Sequence, residues 1–318
     1  MTGNTNIWLN GVMGVVVGDA LGCPVQFESR EEVASHPVAG MRGYGTFNLP
    51  EGSWTDDSSL TLALLESIRR KKAVDPDDIM ENFMKWLYEG EFTPYGKSYD
   101  IGNSTMQAID RYRKDRKAAT CGGSEEWNNG NGSLMRILPA CLYCIERESE
   151  GTFTDTEAIG TIHAVGSLTH AHIRSNIACG LYFFMARRIL TGNGSLTDRL
   201  QSGLTEGFAF YESYPADTEE LHFYDRLRDL AAFSALSADK IKSSGYVVDT
   251  LEAAVWSLIT TDCFEDALLT AVNLGEDTDT VGAVAGGLGG LYYGYAAIPG
   301  EWLSAIRRRE WIEGLCSA

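Results

Sequence analysis

The chain has 318 residues, 44% apolar and 22% charged, proportions that allow a folded globular protein with a sizeable core. Its formal net charge of −18 argues against a nucleic-acid backbone partner, which needs clustered Lys and Arg to displace counterions, and against an anionic membrane surface. Excess acid suits cation binding wherever carboxylates converge.

Helical periodicity runs through most of the chain. The opening GVMGVVVGDALGCP is β-branched enough to be ambiguous, but its length and neighbours favour a helix. In SSLTLALLESIRRKK, Leu60, Leu64, Leu65 and Ile68 share one face, and a basic last turn complements the helix dipole. Asp75 reads as an N-cap with Pro76 at the first helical position, ahead of the stripe Ile79, Phe83, Trp86 and Leu87. The CLYC at 141–144 lacks a second cysteine pair and reads as a buried helix rather than a metal or redox site. Further helices are predicted around Ile173, Ile177, Leu181 and Phe184, around Leu251, Val255 and Leu258, and around Phe264, Leu268 and Val272, the last closed by Gly275. The uncharged run 281–298 reaches membrane-spanning length, yet it is rich in glycine and has acids at its entrance without basic or aromatic anchors. A tightly packed buried helix is the better reading.

Alternating strands, internal repeats and low-complexity linkers are missing, so the expected fold is a compact all-α bundle over residues 1–318 as one domain. Stretches 27–54, 89–102 and 118–132 are long for connections, and long ordered loops often carry function. The N-terminus shows no basic region followed by an apolar block, and the seven cysteines are irregularly spaced; both point to reduced thiols in a cytoplasm.

Two segments raise a chemical question. In EGSWTDDSSL and NLGEDTDTVG, acids and threonines stand directly before apolar helices. N-capping accounts for one acid per helix start. It does not account for two adjacent acids at one and three at the other, since like charges repel unless a cation neutralises them. Carboxylate and hydroxyl oxygens are hard ligands suited to Mg²⁺ or Mn²⁺. In NNGNGSLMRILP, glycines allow close backbone approach to a ligand. No phosphate-loop or dinucleotide-binding fingerprint occurs.

The ordered set GDALG (18–22), WTDDS (54–58), DIGNST (100–105), NGNGSLMR (129–136), THAH (169–172) and GEDTDTVGAVAGG (275–287) resembles the ADP-ribosylglycohydrolase family over nearly the whole chain. The resemblance implies an all-helical fold with a binuclear centre of divalent cations, Mg²⁺ or Mn²⁺, in a loop-lined cleft. It makes Thr55, Asp56 and Asp57 ligands of one ion, with Asp279 shared, and Asp277 and Thr280 ligands of the second. Glu276 matches no ligand position. Asp100 matches a catalytic aspartate, with Asp56 as the other carboxylate at the chemistry; Asp100 also suits an N-cap for the helix that follows. Gly130, Asn131, Gly132 and Ser133 match a loop that cradles the ligand's diphosphate and distal ribose, and His170 a histidine bordering the cleft. Gln26 stands where several relatives carry glutamate, and it can be neither a general base nor an anionic ligand, which favours an arginine-type reaction. Glu28 is a conceivable substitute.

The implied activity is hydrolysis of ADP-ribose from a modified protein side chain, arginine first, reversing an ADP-ribosyltransferase of the same cell or an incoming toxin. The alternatives are another ADP-ribosyl linkage, a free ADP-ribose derivative, or non-catalytic ADP-ribose binding.

Overall fold

The computed structural model describes residues 6–214 and 218–317. Sixteen α-helices follow in order: α1 (Ile7–Gly22), α2 (Arg30–Ser35), α3 (Asp56–Lys71), α4 (Pro76–Glu89), α5 (Asn103–Asp115), α6 (Leu138–Ser149), α7 (Asp155–Gly166), α8 (Ile173–Thr191), α9 (Leu196–Glu212), α10 (Thr218–Leu221), α11 (Leu230–Ser234), α12 (Val247–Ile259), α13 (Phe264–Val272), α14 (Thr278–Tyr293), α15 (Gly300–Ala305) and α16 (Arg309–Ser317). Among the described residues, extended pairing is confined to two isolated bridges, Gly123 with His170 and Gly130 with Tyr246.

At the centre α1 and α14 lie antiparallel with their backbones touching. A Cβ on Gly14 would fall 2.0 Å from the Gly286 carbonyl oxygen, one on Gly18 2.0 Å from that of Gly282, and one on Gly290 2.2 Å from that of Asn10. Glycine spaced every four residues on both helices keeps one bare stripe on each, and the two stripes meet. Side-chain bonds pin both ends of the pair: Thr278 Oγ1 donates to the Gly22 carbonyl at 2.8 Å, and Asn10 Oδ1 accepts from the Tyr295 amide at 3.0 Å. Helices α3, α6, α8, α12 and α13 surround this pair and complete one continuous apolar core.

The expected helices are present. Asp75 caps α4, accepting from the Asp78 amide at 3.2 Å, with Pro76 at the first position. Cys141 and Cys144 are buried in α6, and the chain's cysteines are all unpaired thiols. The run 281–298 lies within α14 as far as Tyr293, then turns at Gly294. Among the described residues one helical stretch, Ile7–Val25, is long and apolar enough to cross a membrane, and 89% of its apolar 18-residue window is buried inside the fold.

Three expectations differ. The stretch 27–54 contains α2, which a capping box between Ser29 and Glu32 nucleates. Gly275, with φ of +78°, sits two residues past the α13 cap Asn273, where a Cβ would meet the Arg30 amide at 2.7 Å. Asp100 does not cap α5; Gly102 occupies that position.

The seam makes a direct prediction. Gly18→Ala should destabilise the protein by about 1–3 kcal/mol or prevent folding, because the contacting atom is backbone and cannot rotate away. Gly160→Ala, on an exposed turn of α7 with nothing within 4 Å, should stabilise it by about 0.5–1 kcal/mol. Urea denaturation of the two variants against the wild type reads both signs.

Candidate functional site

The antiparallel seam carries the C-terminal end of α1 to the N-terminal end of α14, and α3 starts beside both. Asp19, fully buried on α1, accepts from the Thr55 amide at 2.9 and 3.0 Å and from the Ser58 amide at 2.9 Å. It also accepts from Ser58 Oγ at 2.5 Å. One carboxylate thereby collects the free N–H groups at the start of α3 and fixes that helix against α1. Burial lifts the Asp19 carboxyl to about 7, although the bonds from Ser58 and Thr55 work the other way.

With Thr55 as the cap of α3, accepting from the Asp57 amide, Asp56 and Asp57 are left free in the first turn. The same holds at α14: Asp277 occupies the cap position without a side-chain capping bond, and Asp279 and Thr280 lie in the first turn. The acids at these two helix starts are not used as caps. They turn instead toward one another. Thr280 Oγ1 lies 3.4 Å from Asp57 Oδ2 and 3.4 Å from Asp277 Oδ1, bringing together the segments that contain 55–57 and 277–280. Thr55 Oγ1 donates to Asp57 Oδ2 at 3.1 Å.

A cleft of about 320 Å³ opens over this cluster, lined by Gln26, Asp56, Asp57, Asp100, Asp277 and Thr280 on its acidic side. Gly130, Asn131, Gly132, Met135 and His170 also line it. Asn131 Nδ2 donates to Asp277 Oδ2 at 2.6 Å and to Thr250 Oγ1 at 2.9 Å, so its amide positions a cleft carboxylate. Gln26 Nε2 reaches Asp277 Oδ1 at 3.5 Å, while its Oε1 is buried without a partner. Asp100 is held in left-handed backbone, φ +57°, with its carboxyl beside the Gln26 amide and Asp279. That conformation is uncommon for a residue with a Cβ and turns the carboxyl into the cleft.

Some residues lie elsewhere than the sequence suggested. Ser133 is fully buried and accepts from Cys179 Sγ at 3.6 Å, so its side chain faces the core and not the cleft. Thr55 and Asp279 are buried just behind the cleft wall. Glu276 is exposed, in agreement with its lack of a ligand position, and Glu28 contributes a backbone carbonyl to the Glu276 amide while its side chain stays out of the lining.

Sequence reasoning assigned no role to Asp19, Phe27 or Trp127. Asp19 stood in the quoted GDALG motif. Phe27 and Trp127, 66% and 79% exposed, flank the mouth of the cleft and belong to two of the three long irregular stretches, while the third supplies Asp100.

The electrostatics are one-sided. Burial pushes the carboxyls of Asp56, Asp57 and Asp279 well above the usual carboxylate range, and the neighbouring aspartates push in the same direction. Burial also raises Asp100. Among the described residues, the principal influences on these four acids include no cationic side chain. Asp57 Oδ1 and Asp279 Oδ2 are buried without a hydrogen-bond partner. Orphaned carboxylate oxygens and threonine hydroxyls form an oxygen donor set that suits hard divalent cations, while the two helix N-termini partly offset the charge of the acids. Among the described residues no three acids, histidines or cysteines converge closely enough to form a ready-made metal cluster, so threonine hydroxyls would have to share the coordination.

Comparison with known proteins is consistent across sequence and structure. The family model for ADP-ribosylglycohydrolase matches residues 8–318. The chain is 32% identical over 305 residues to an ADP-ribosylarginine hydrolase Tri1 of Serratia proteamaculans, covering 96% of this chain and 76% of that protein. It is 32% identical over 300 residues to an ADP-ribosyl-[dinitrogen reductase] glycohydrolase of Rhodospirillum rubrum, covering 94% and 89%. A solved structure of an ADP-ribosylglycohydrolase-related protein complex superposes with a TM-score of 0.76 at 30% identity, over 98% of this chain and 95% of that one.

The charge imbalance predicts an unusual stability effect. In chelator-treated protein, Asp279→Asn keeps the acceptor for the Thr280 amide and removes one buried negative charge. It should raise stability by at least about 1 kcal/mol, the free energy of a single pKa unit, read as a higher thermal midpoint.

Proposed function

The chain belongs to the ADP-ribosylglycohydrolase family, and on that premise we propose that it is a hydrolase that releases ADP-ribose from a modified protein side chain, arginine in particular. Two divalent cations, Mg²⁺ or Mn²⁺, are its proposed cofactors, held by Thr55, Asp56, Asp57 and Asp279 and by Asp277, Thr280 and the shared Asp279. The observation that carries this reading is the meeting of two acid-and-threonine helix starts in one cleft, with carboxylate oxygens left unpartnered and, among the described residues, no cation among the principal influences on Asp56, Asp57, Asp100 or Asp279. The names of two relatives, one for ADP-ribosylarginine and one for ADP-ribosyl-dinitrogen reductase, support a protein-linked substrate and the reversal of an ADP-ribosyltransferase.

Bound cations would supply charge to grip the ribose hydroxyls and acidify a water. The remaining work falls to the chain's own groups. Glycosidic cleavage passes through an oxocarbenium-like state, and the carboxylates of the cleft place negative charge beside it. Asp100 stands at the cleft wall on a strained turn, half-buried and raised in pKa by that burial, where its carboxyl can take a proton from water or give one to the leaving nitrogen. Asp56 lines the same side and would orient the attacking water. Gln26 is neutral, and its unpaired carbonyl oxygen presents an acceptor without adding another charge. The Gly130–Gly132 backbone, in the same lining, would leave room for the diphosphate.

Turnover tests this directly. With an ADP-ribosylarginine protein and Mg²⁺ or Mn²⁺, the wild type should release ADP-ribose, and a chelator should stop it. Asp100→Asn should lose about 10²–10⁴ of the rate while still binding ADP-ribose. Wild-type binding without release would leave a binding protein. Release only from serine-linked substrate would overturn the arginine assignment.

A further inference from the structure

One group in the quoted motifs has no place in the reaction above. Arg136, at the end of NGNGSLMR, is fully buried, and its Nε and Nη1 have no partner. Burying a guanidinium away from a carboxylate costs several kcal/mol, so its position calls for an explanation. It lies over the Phe83 ring at 4.9 Å, and its Nη2 points at the C-terminal end of α7. The distances to the Val165 and Gly166 carbonyls are 3.3 and 3.5 Å, an ordinary helix-end contact. The shortest bond, 2.8 Å, goes to the hydroxyl of Thr169.

That hydroxyl also lies 2.8 Å from His170 Nδ1. A guanidinium nitrogen only donates, so Thr169 Oγ1 accepts from Arg136. Its single hydrogen then has one described partner, Nδ1 of His170. If Nδ1 carried a proton instead, the hydroxyl would face two donors and its own hydrogen would have nowhere to go. The backbone reinforces this geometry, because Gly123 accepts from the Ala171 amide at 2.8 Å and donates to the Thr169 carbonyl at 3.3 Å. The other edge of the ring faces the cleft loop: a Cβ on Gly132 would meet Cε1 at 2.8 Å, and one on Gly130 would lie 3.6 Å from Nε2. Nε2 has no partner among the described residues. Burial, with the charge of Arg136 behind it, pushes the His170 pKa down to about 3 and keeps the ring neutral.

We propose that Arg136, acting through Thr169, fixes His170 as its Nε2–H tautomer, so that the ring presents a neutral hydrogen-bond donor to an oxygen of a ligand bound against the Gly130–Gly132 loop. Arg136 and Thr169 are positioning residues, and His170 is the group that meets the ligand. The ligand identity, ADP-ribose, rests on the function proposed above; the tautomer does not.

The test separates the two. In ligand-free protein labelled with ¹⁵N on the imidazoles, the His170 signal, one of five histidines and assigned by its loss in His170→Gln, should show a proton on Nε2 and a bare Nδ1. Thr169→Ser should keep that signature. Thr169→Val should mix the tautomers and raise the Kd for ADP-ribose with Mg²⁺ about tenfold, and it should lower the thermal midpoint because the buried Arg136 loses its shortest bond. A proton on Nδ1 in the wild type overturns the proposal, as does a folded Thr169→Val whose tautomer and affinity are unchanged. Should the wild type show the Nε2–H tautomer and yet bind no ADP-ribose, the relay stands and the functional reading falls.

Discussion

The structure depends on two backbones in contact. Helices α1 and α14 approach so closely that a single methyl group on Gly14, Gly18, Gly22, Gly282 or Gly286 would overlap a carbonyl of the facing helix. No larger residue could hold this pair at the same separation, and the separation sets everything at the cleft. It places Asp19 under the start of α3, Gly22 under Thr278, and the acids of α14 opposite those of α3. A dry, rigid seam is also what allows charge to be buried next to it. The carboxylates cannot move apart without separating helices whose contact is otherwise apolar and continuous.

The acidic cluster is accordingly a stressed arrangement held by a stiff support. Helix N-termini contribute partial positive charge, Asp19 satisfies the free amides of α3, and Asn131 holds Asp277, but none of these supplies a full positive charge. On the proposed reading that stress has a use. Cations bound there would draw the acids and threonine hydroxyls together and relieve a repulsion that otherwise only protonation relieves.

Much of this was legible along the chain, and the reasons for the exceptions are physical. Apolar stripes such as Leu60, Leu64, Leu65 and Ile68 reveal a helix because burial repeats with its turn. The acids of 56–57 and 277–279 stood out because their number exceeds what capping needs. Asp100 matches a catalytic aspartate and also suits a cap; its left-handed backbone and the cap position of Gly102 exclude the cap, and φ leaves no trace in composition. Ser133 fails for a related reason: in the short turn at Asn131–Ser133 adjacent side chains point in different directions, so one loop feeds both the cleft and the core. Asp19 carries no signal of its own in the sequence, since its importance lies in bonds from three donors of a separate segment, the Thr55 amide and the Ser58 amide and hydroxyl. The cysteines of CLYC are core, and so is the uncharged run behind Asp279 as far as Leu291; beyond it Ala296 and Ala297 are exposed.

The seam joins partners such as Thr278 and Gly22, 256 positions apart. A contact that distant closes late, after most of the chain has emerged from the ribosome, and every shorter fragment leaves α1 with its bare glycine stripe and apolar flanks uncovered. Any truncation that removes α14 should yield an aggregating protein and not merely an inactive one.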